Sequence, residues 1–223
     1  MKFTHRFLII TAVFITCVIT ANVIAVKVIS IGPLVLPAAI IIFPFSYIFG
    51  DVITEVYGYH RARQVIWLAY ACNLLFVAFV WFAQIIPGAD FWEGQQAYET
   101  ILGVVPRMLL ASFAGGIVGE FANSFVLSRM KVLTSGRWLW MRTIASTIVG
   151  QGLDTALFII IAYYGSANFA PIMILYHWLA KTAIEALATP LTYFTVSRLK
   201  RKEKIDAYDE EVNYNPFSLT QEK

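Results

Sequence analysis

Two carboxylates four residues apart, Asp51 and Glu55, directly follow an apolar run, and no loop signal separates them from it. In a helix this spacing places both on one face, with Tyr47 one turn earlier. A carboxylate at the centre of a membrane-spanning helix costs about 2.5–3.5 kcal/mol on insertion scales. The pair therefore predicts a polar site within a membrane, where a partner residue, a water-filled cavity or a ligand offsets this cost. The alternative is a helix end whose acids face water.

Further polar residues interrupt the apolar segments and extend this candidate site. The full set is Asn22, Asp51, Glu55, Glu120, Asn123, Gln151, Asp154, Lys181 and Glu185. Lys181 and Glu185 are spaced to pair with each other, but acids outnumber bases in the set. We therefore predict that Lys181 faces one cavity with Asp51, Glu120 and Asp154. Such an excess of acid suits a ligand that donates hydrogen bonds, or a carboxylate that carries a proton.

A short pattern of a serine, a glycine and an acid at intervals of four occurs twice: Ser112, Gly116 and Glu120, then Ser146, Gly150 and Asp154. Intervals of four keep one helix face, and small residues let membrane helices approach closely. The pattern predicts two helices in contact, with their acids beside the contact. Arg142 stands near a helix end, where it can snorkel, which makes it a weaker candidate for a buried partner.

The composition predicts an integral membrane protein. The chain is 59% hydrophobic and 14% charged, against about 25% charged residues in soluble domains. Cys17 and Cys72 lie in apolar segments, so a disulfide framework is not expected. The sequence contains no P-loop, no H-E-x-x-H and no G-x-S-x-G motif. We therefore expect no ATPase of its own, no metal and no cofactor.

The apolar segments predict an all-α fold with six transmembrane helices in one domain, residues 1–200. The expected helices are 7–29, 34–57, 63–86, 104–128, 141–164 and 171–197. Strands are excluded on the ground that the apolar runs are continuous. Prolines are expected to break several helices, at Pro37, Pro44, Pro106, Pro171 and Pro190. Residues 201–223 are predicted to form a charged cytoplasmic tail that frays into disorder.

Basic residues predict the orientation of the helices. Lysine and arginine concentrate before the first helix, in the second and fourth connections and after the sixth helix. The positive-inside rule then places both termini in the cytoplasm. The outer loop 87–103 is expected to lie at the membrane interface as an aromatic anchor, through Phe91, Trp92 and Tyr98.

A family resemblance rests on two motifs read together. They are F-P-x6-D-x2-T-E-x-Y-G from Phe43 to Gly58, and A-S-T-x6-D-T from Ala145 to Thr155, with Lys181 in the last helix. The combination resembles the queuosine precursor transporter family, also called the vitamin uptake transporter family, over about residues 15–197. Many members carry a glutamine and then an aspartate three residues later in the fourth helix, where this chain has Glu120 and Asn123.

The resemblance implies import of 7-cyano-7-deazaguanine or 7-aminomethyl-7-deazaguanine, precursors of tRNA queuosine, across the bacterial cytoplasmic membrane. One carboxylate, from Asp51, Glu120 or Asp154, can accept the adjacent N1–H and 2-amino groups of the ligand. Asn22, Asn123, Gln151 or Lys181 can donate to its carbonyl. The ring needs an aromatic slot, for which Phe43, Tyr47 and Phe158 are candidates.

Two other functions compete with a transporter that works alone or as a homo-oligomer. One is a substrate-binding membrane subunit of a vitamin importer whose ATPase is a separate chain; the other is an intramembrane enzyme. If the chain is a transporter, we expect its partners to be a small-molecule substrate and the lipid bilayer. We then expect no nucleic-acid partner and no enzymatic activity.

Overall fold

The computed structural model describes residues 4–24, 27–31, 34–103, 106–165, 171–210 and 212–218. Seven α-helices lie in this part of the chain: α1 His5–Ile24, α2 Phe43–Tyr57, α3 Tyr59–Ile85, α4 Gln95–Leu102, α5 Pro106–Leu133, α6 Leu139–Tyr163 and α7 Ile172–Glu203. A β-hairpin, β1 Val28–Ile31 and β2 Leu34–Pro37, and a 3-10 turn, Ala38–Ile41, separate α1 from α2.

The hairpin corrects the prediction that strands are excluded. The two strands pair antiparallel from Val28 opposite Pro37 to Ile31 opposite Leu34. Valine and isoleucine dominate them and favour extended backbone, and a short apolar run cannot be told from a helix by periodicity alone. The predicted first helix therefore ends at Ile24 rather than 29. The second begins at Phe43 rather than 34, with Pro44 in its first turn.

Other boundaries also differ from the prediction. α3 begins at Tyr59, α5 continues to Leu133 and α7 runs six residues beyond 197, to Glu203. The outer loop contains a helix, α4, that the sequence did not predict. Of the prolines expected to break helices, only Pro190 lies beyond the first turn of a described helix, and Pro44 lies in the first turn of α2. Pro106 and Pro171 stand at helix starts, where a missing N–H costs nothing.

Four helices in the described part are long and apolar enough to cross a membrane by themselves: His5–Ile24, Tyr59–Ile85, Leu110–Leu133 and Leu139–Ile161. Many of their large side chains, such as Leu75 and Phe79 of α3, are exposed. These side chains form a surface suited to lipid. α2 has only 15 residues, fewer than the about 20 that span a bilayer, and it packs against α1, α3, α5 and α7.

The contact between α5 and α6 is built from glycines. A Cβ on Gly119 would lie 2.7 Å from Asp154 Cβ and 2.9 Å from the Gly150 carbonyl oxygen. A Cβ on Gly115 would lie 2.7 Å from the Asp154 carbonyl oxygen. The predicted close approach is therefore confirmed, as is the part of Gly150 in it. On α5, however, Gly115 and Gly119 form the contact, one position removed from the predicted stripe.

The segment after α7 is ordered, which corrects the prediction that the tail frays into disorder; residues 219–223 lie outside the described part. We call residues 205–210 and 212–218 the C-terminal strap. Its Ala207 N–H donates to the Val56 carbonyl of α2 at 3.1 Å. Arg63 of α3 donates to the carbonyls of Asn213 and Asn215 at 2.7 and 2.6 Å. The strap thus crosses the ends of α2 and α3.

Asp209 of the strap supplies the missing cap of α3. The residue before that helix is Gly58, which has no side chain to accept from the first amides and has φ +86°. Asp209 Oδ2 accepts from the Tyr59 N–H at 2.8 Å and from Ser128 Oγ at 2.5 Å. An anion at a helix N-terminus satisfies free N–H groups and the helix dipole together. A Cβ on Gly58 would lie 2.8 Å from Asp209 Oδ1, so this close approach requires glycine.

Candidate ligand cavity between the helices

A cavity of about 200 Å³ lies among α1, α2, α3, α5, α6 and α7. Seven of the ten site residues predicted from the sequence line it: Asn22, Phe43, Tyr47, Glu120, Gln151, Asp154 and Lys181. Phe158, named as a candidate for the aromatic slot, also lines it. Asp51, Glu55 and Asn123 do not belong to its lining.

Lys181 of α7 forms an ion pair across the cavity with Asp154 of α6, with Nζ 2.7 Å from Oδ2. The ammonium also lies 5.0 Å from the centre of the Phe43 ring, a cation–π distance. Lys181 does not pair with Glu185. The prediction that it faces a cavity with Glu120 and Asp154 is therefore confirmed, whereas the inclusion of Asp51 in that cavity is wrong.

Tyr47 and Gln151 fix one polar edge of the cavity. The Tyr47 hydroxyl donates to Gln151 Oε1 at 2.6 Å, which joins α2 to α6. The bond occupies the carbonyl end of the Gln151 side chain and leaves its two N–H groups for a ligand. The Phe43 and Tyr47 rings lie nearly parallel, 8° apart in plane and 6.0 Å between centres. Both residues form part of the cavity wall beside the donor.

Glu120 is the free acid of the cavity. It stands on one face of α5 with Ser112 and Gly116, and all three line the cavity. Within the described residues it makes no hydrogen bond and no ion pair. Asp154, by contrast, is held by Lys181. Glu120 is therefore the carboxylate available to accept hydrogen bonds from a ligand.

Asp51 and Asn123 lie together outside the cavity. Asn123 Nδ2 donates to Asp51 Oδ1 at 2.8 Å, and both side chains are buried. Asp51 stands one helical turn beyond Tyr47, so α2 carries it from the cavity wall into a closed layer of the protein.

Glu55, a further turn along α2, lies in a buried cluster of opposite charges. Its Oε1 is 2.7 Å from Arg142 Nη2, 2.7 Å from Lys200 Nζ and 3.7 Å from Lys131 Nζ. Asp206 of the C-terminal strap pairs with both lysines. The expectation that Arg142 snorkels to the surface is wrong, because its side chain is fully buried against Glu55. Four helices and the strap meet at this cluster.

Besides Ser112, four polar residues of the lining were not predicted as site residues: Ser46, Tyr70, Thr155 and His177. The position of Tyr70 in the sequence does contain a sign that it is buried. It belongs to a buried stripe on α3 that includes Tyr59, Arg63, Ile66 and Asn73, at the intervals of three and four that mark one helix face. Among the described residues, no group of three or more histidine, cysteine or acidic side chains is placed to hold a metal ion.

The sequence is similar to those of known proteins. The family described as "Putative vitamin uptake transporter" matches residues 37–195. The "Probable queuosine precursor transporter" of Bacillus subtilis (strain 168) is 26% identical over 189 residues, which cover 83% of this chain and 82% of that protein. The "Queuosine precursor transporter" of Escherichia coli (strain K12) is 29% identical over 126 residues, 56% of this chain and 54% of that protein. No solved structure matches.

Both relatives are named as transporters, and neither is named as an enzyme. Together with the apolar helices they identify a multi-pass protein of the bacterial inner membrane. The family match spans more than half of the chain, over the residues that carry the predicted motifs. The chain therefore belongs to the vitamin uptake transporter family.

Proposed function

We propose that this protein imports queuosine precursors, 7-cyano-7-deazaguanine or its 7-aminomethyl relative, through the cavity between its helices. The names of the relatives support the substrate class. The observation that carries the proposal is that an unengaged carboxylate, Glu120, and an amide donor, Gln151, both lie on the wall of the same cavity.

The chemistry of a 7-deazaguanine complements these two groups. Its N1–H and 2-amino donors lie side by side, and the two oxygens of Glu120 can accept both with charge assistance. Its carbonyl needs a donor, which the free N–H groups of Gln151 supply. The flat ring suits the wall of Phe43 and Tyr47. A volume of about 200 Å³ lies below the about 300–1,000 Å³ of pockets for drug-sized ligands, which favours a free base over a nucleotide.

Uptake by living cells tests this proposal. Cells that cannot make the precursor are given labelled 7-cyano-7-deazaguanine, with and without this chain. Glu120→Gln removes the charge that the ligand donors need, and we expect about a 10- to 100-fold loss of uptake. Glu99→Gln changes the same chemistry on the exposed helix α4 and should leave uptake unchanged. Absence of uptake by the unaltered chain contradicts the proposal.

Reconstitution separates a lone transporter from a subunit of a larger importer. Purified protein in vesicles should exchange labelled for unlabelled precursor without any other chain and without ATP. Exchange that appears only after a separate ATPase is added would favour the subunit.

We also propose that α7 and the segment 34–57, which contains α2, complete a set of six spans and that both termini are cytoplasmic. The support is the one-sided lysine and arginine pattern, together with Lys131, Arg142 and Lys200 gathered at one end of the bundle. In a background with Cys17→Ala and Cys72→Ala, single cysteines replace Glu93 or Ser135. An impermeant maleimide should label intact cells at 93 and not at 135. Labelling at 135 contradicts this orientation.

A further inference from the structure

A layer of buried acid closes the cavity at the end nearer the charged cluster of Glu55. Asp51 stands one turn beyond Tyr47 on α2, and Glu185 stands one turn beyond Lys181 on α7. Tyr47 and Lys181 both line the cavity, and α2 packs against α7. A helical turn advances about 5.4 Å along the same face. The two carboxyl groups therefore lie directly below the cavity floor.

Both carboxyl groups are sealed from solvent, and their oxygens lack partners. Glu185 is 0% exposed and Asp51 1%. Within the described residues, neither oxygen of Glu185 accepts a hydrogen bond, and Oδ2 of Asp51 accepts none. Only Asp51 Oδ1 is engaged, by Asn123.

The cations near Asp51 and Glu185 form ion pairs with other carboxylates. Lys181 bonds to Asp154 at 2.7 Å, and Arg142 and Lys200 bond to Glu55. The other titratable groups within electrostatic range of Glu185 and Asp51 are Glu120 on α5, together with Glu55 and Tyr47 on α2. Two of these groups, Glu120 and Glu55, are carboxylates, and Glu120, which has no cation partner among the described residues, repels a further negative charge.

An uncompensated carboxylate in such an interior is strongly unfavourable, and a bound proton removes the charge. A metal ion would need several converging ligands, and the described residues contain no such group. These two carboxyl groups are therefore suited to binding a proton. A proton held one turn below a transported molecule is placed to be coupled to its movement.

We propose that Asp51 and Glu185 share one exchangeable proton and that Glu185 couples its movement to that of the ligand. The proton arrives from cavity water, forms the O–H bond of the carboxylic acid, and leaves to cytoplasmic water when the floor opens. No electron is transferred and no other bond changes. This inference rests on the proposed function, since it supplies the driving force for the same import.

The test uses purified protein in vesicles with labelled 7-cyano-7-deazaguanine. An inward proton gradient of one pH unit should concentrate the neutral ligand about tenfold for one coupled proton. Glu185→Gln should retain exchange at equal concentrations and lose this accumulation. Glu185→Asp keeps an ionisable group and should restore accumulation at least in part. Glu99→Gln is the matched control and should behave as the unaltered chain.

The outcomes distinguish this inference from the proposed function. Absence of exchange by the unaltered chain overturns the proposed function. Normal exchange with accumulation driven by a sodium gradient and not by a proton gradient overturns the proton site alone. The same follows if Glu185→Gln accumulates ligand as the unaltered chain does, or if Glu185→Gln and Glu185→Asp both abolish exchange. A pH-sensitive dye inside the vesicles gives an independent reading: ligand entry should acidify the interior only when residue 185 is ionisable.

Discussion

Glu55 of α2 and Arg142 of α6 are joined at 2.7 Å, and each side chain is 1% exposed. Lys131 and Lys200 add two further positive charges to the same carboxylate. A buried pair is costly to form but more costly to break, since removing one partner leaves the other charge uncompensated. Glu55 therefore holds together cations that would otherwise repel one another.

Replacing Glu55 by glutamine should destabilise the fold strongly. Breaking a buried pair costs about 3–5 kcal/mol, and we expect a marked fall of the melting temperature in detergent. Glu99→Gln is the control, because Glu99 is an exposed residue of α4 that forms no ion pair among the described residues. Equal melting temperatures for the two variants would contradict a structural role of Glu55.

A methyl group at Gly119 should separate α5 from α6. Its Cβ would lie 2.7 Å from Asp154 Cβ, closer than packed carbon atoms allow, and overpacking costs about 1–3 kcal/mol. Because Asp154 must shift, uptake should fall together with stability. Gly152→Ala on α6 is the matched control, since its nearest atom would be Trp178 Nε1 at 3.4 Å. A stable and active Gly119→Ala variant would show that the helices can part without consequence.

The double exchange Lys181→Glu with Glu185→Lys should abolish uptake. It moves the positive charge a full turn from Asp154 and places a second carboxylate beside it. Loss of a buried charge pair costs about 2–5 kcal/mol, so we expect at least about a 30-fold decrease in uptake. Near-normal uptake would show that the two residues act as an isolated pair, which the Lys181–Asp154 distance of 2.7 Å argues against.

Release of the C-terminal strap should follow from Asp209→Asn. The change removes the negative charge at the start of α3, where Asp209 accepts from the Tyr59 N–H at 2.8 Å. Trypsin cleavage after Lys204 in inside-out vesicles should become faster. Glu210→Gln, an exposed neighbour, should leave the cleavage rate unchanged. Slow cleavage of both variants would mean that the other contacts of the strap suffice.

The strap should stay docked across the physiological pH range. Burial alone would raise the pKa of Asp206, but the hydrogen bonds and charges of Lys131 and Lys200 outweigh it and lower that pKa. Because the pKa of Asp206 is lower in the folded protein than in the unfolded chain, its ion pairs stabilise the docked strap fully above the unfolded pKa, about 3.9. This stabilisation is lost as the pH falls through the folded pKa. Protection of the Ala207 N–H from hydrogen exchange should thus be constant from pH 8 to 5. Asp206→Asn should lower it at pH 7.

Most of the cavity could be predicted from the sequence, because polar residues stand out against apolar helices and an interval of four fixes their face. Tyr47, Glu120, Asp154 and Lys181 follow from this rule alone. The partner of Glu55 could not be found in this way. Arg142 lies near the start of its helix, where an arginine ordinarily reaches water. Only the packing of α6 against α5 and α7, which places Arg142 beside Glu55, buries it.

The sequence pattern predicts neither the hairpin nor the ordered strap, for different reasons. The run 34–43 is apolar, and apolar composition alone fits a helix and a buried strand equally. The tail is charged, and charge usually indicates a solvated segment. Its order depends on matching groups far away in sequence: a glycine-capped helix start that needs an acceptor, and the Arg63 side chain that needs carbonyls.

The position of the strap sets an order on biosynthesis. The cap of α3 comes from Asp209, 150 residues later in the chain, and the carbonyls that bind Arg63 come later still. The ends of α2 and α3 that meet at Gly58 therefore lack these contacts until nearly the whole chain has left the ribosome. A product that stops after α7 would carry a bare helix start, an Arg63 side chain without its two carbonyl acceptors and a lysine pair without Asp206. Such a product presents a distinctive surface by which quality-control proteases could recognise incomplete copies.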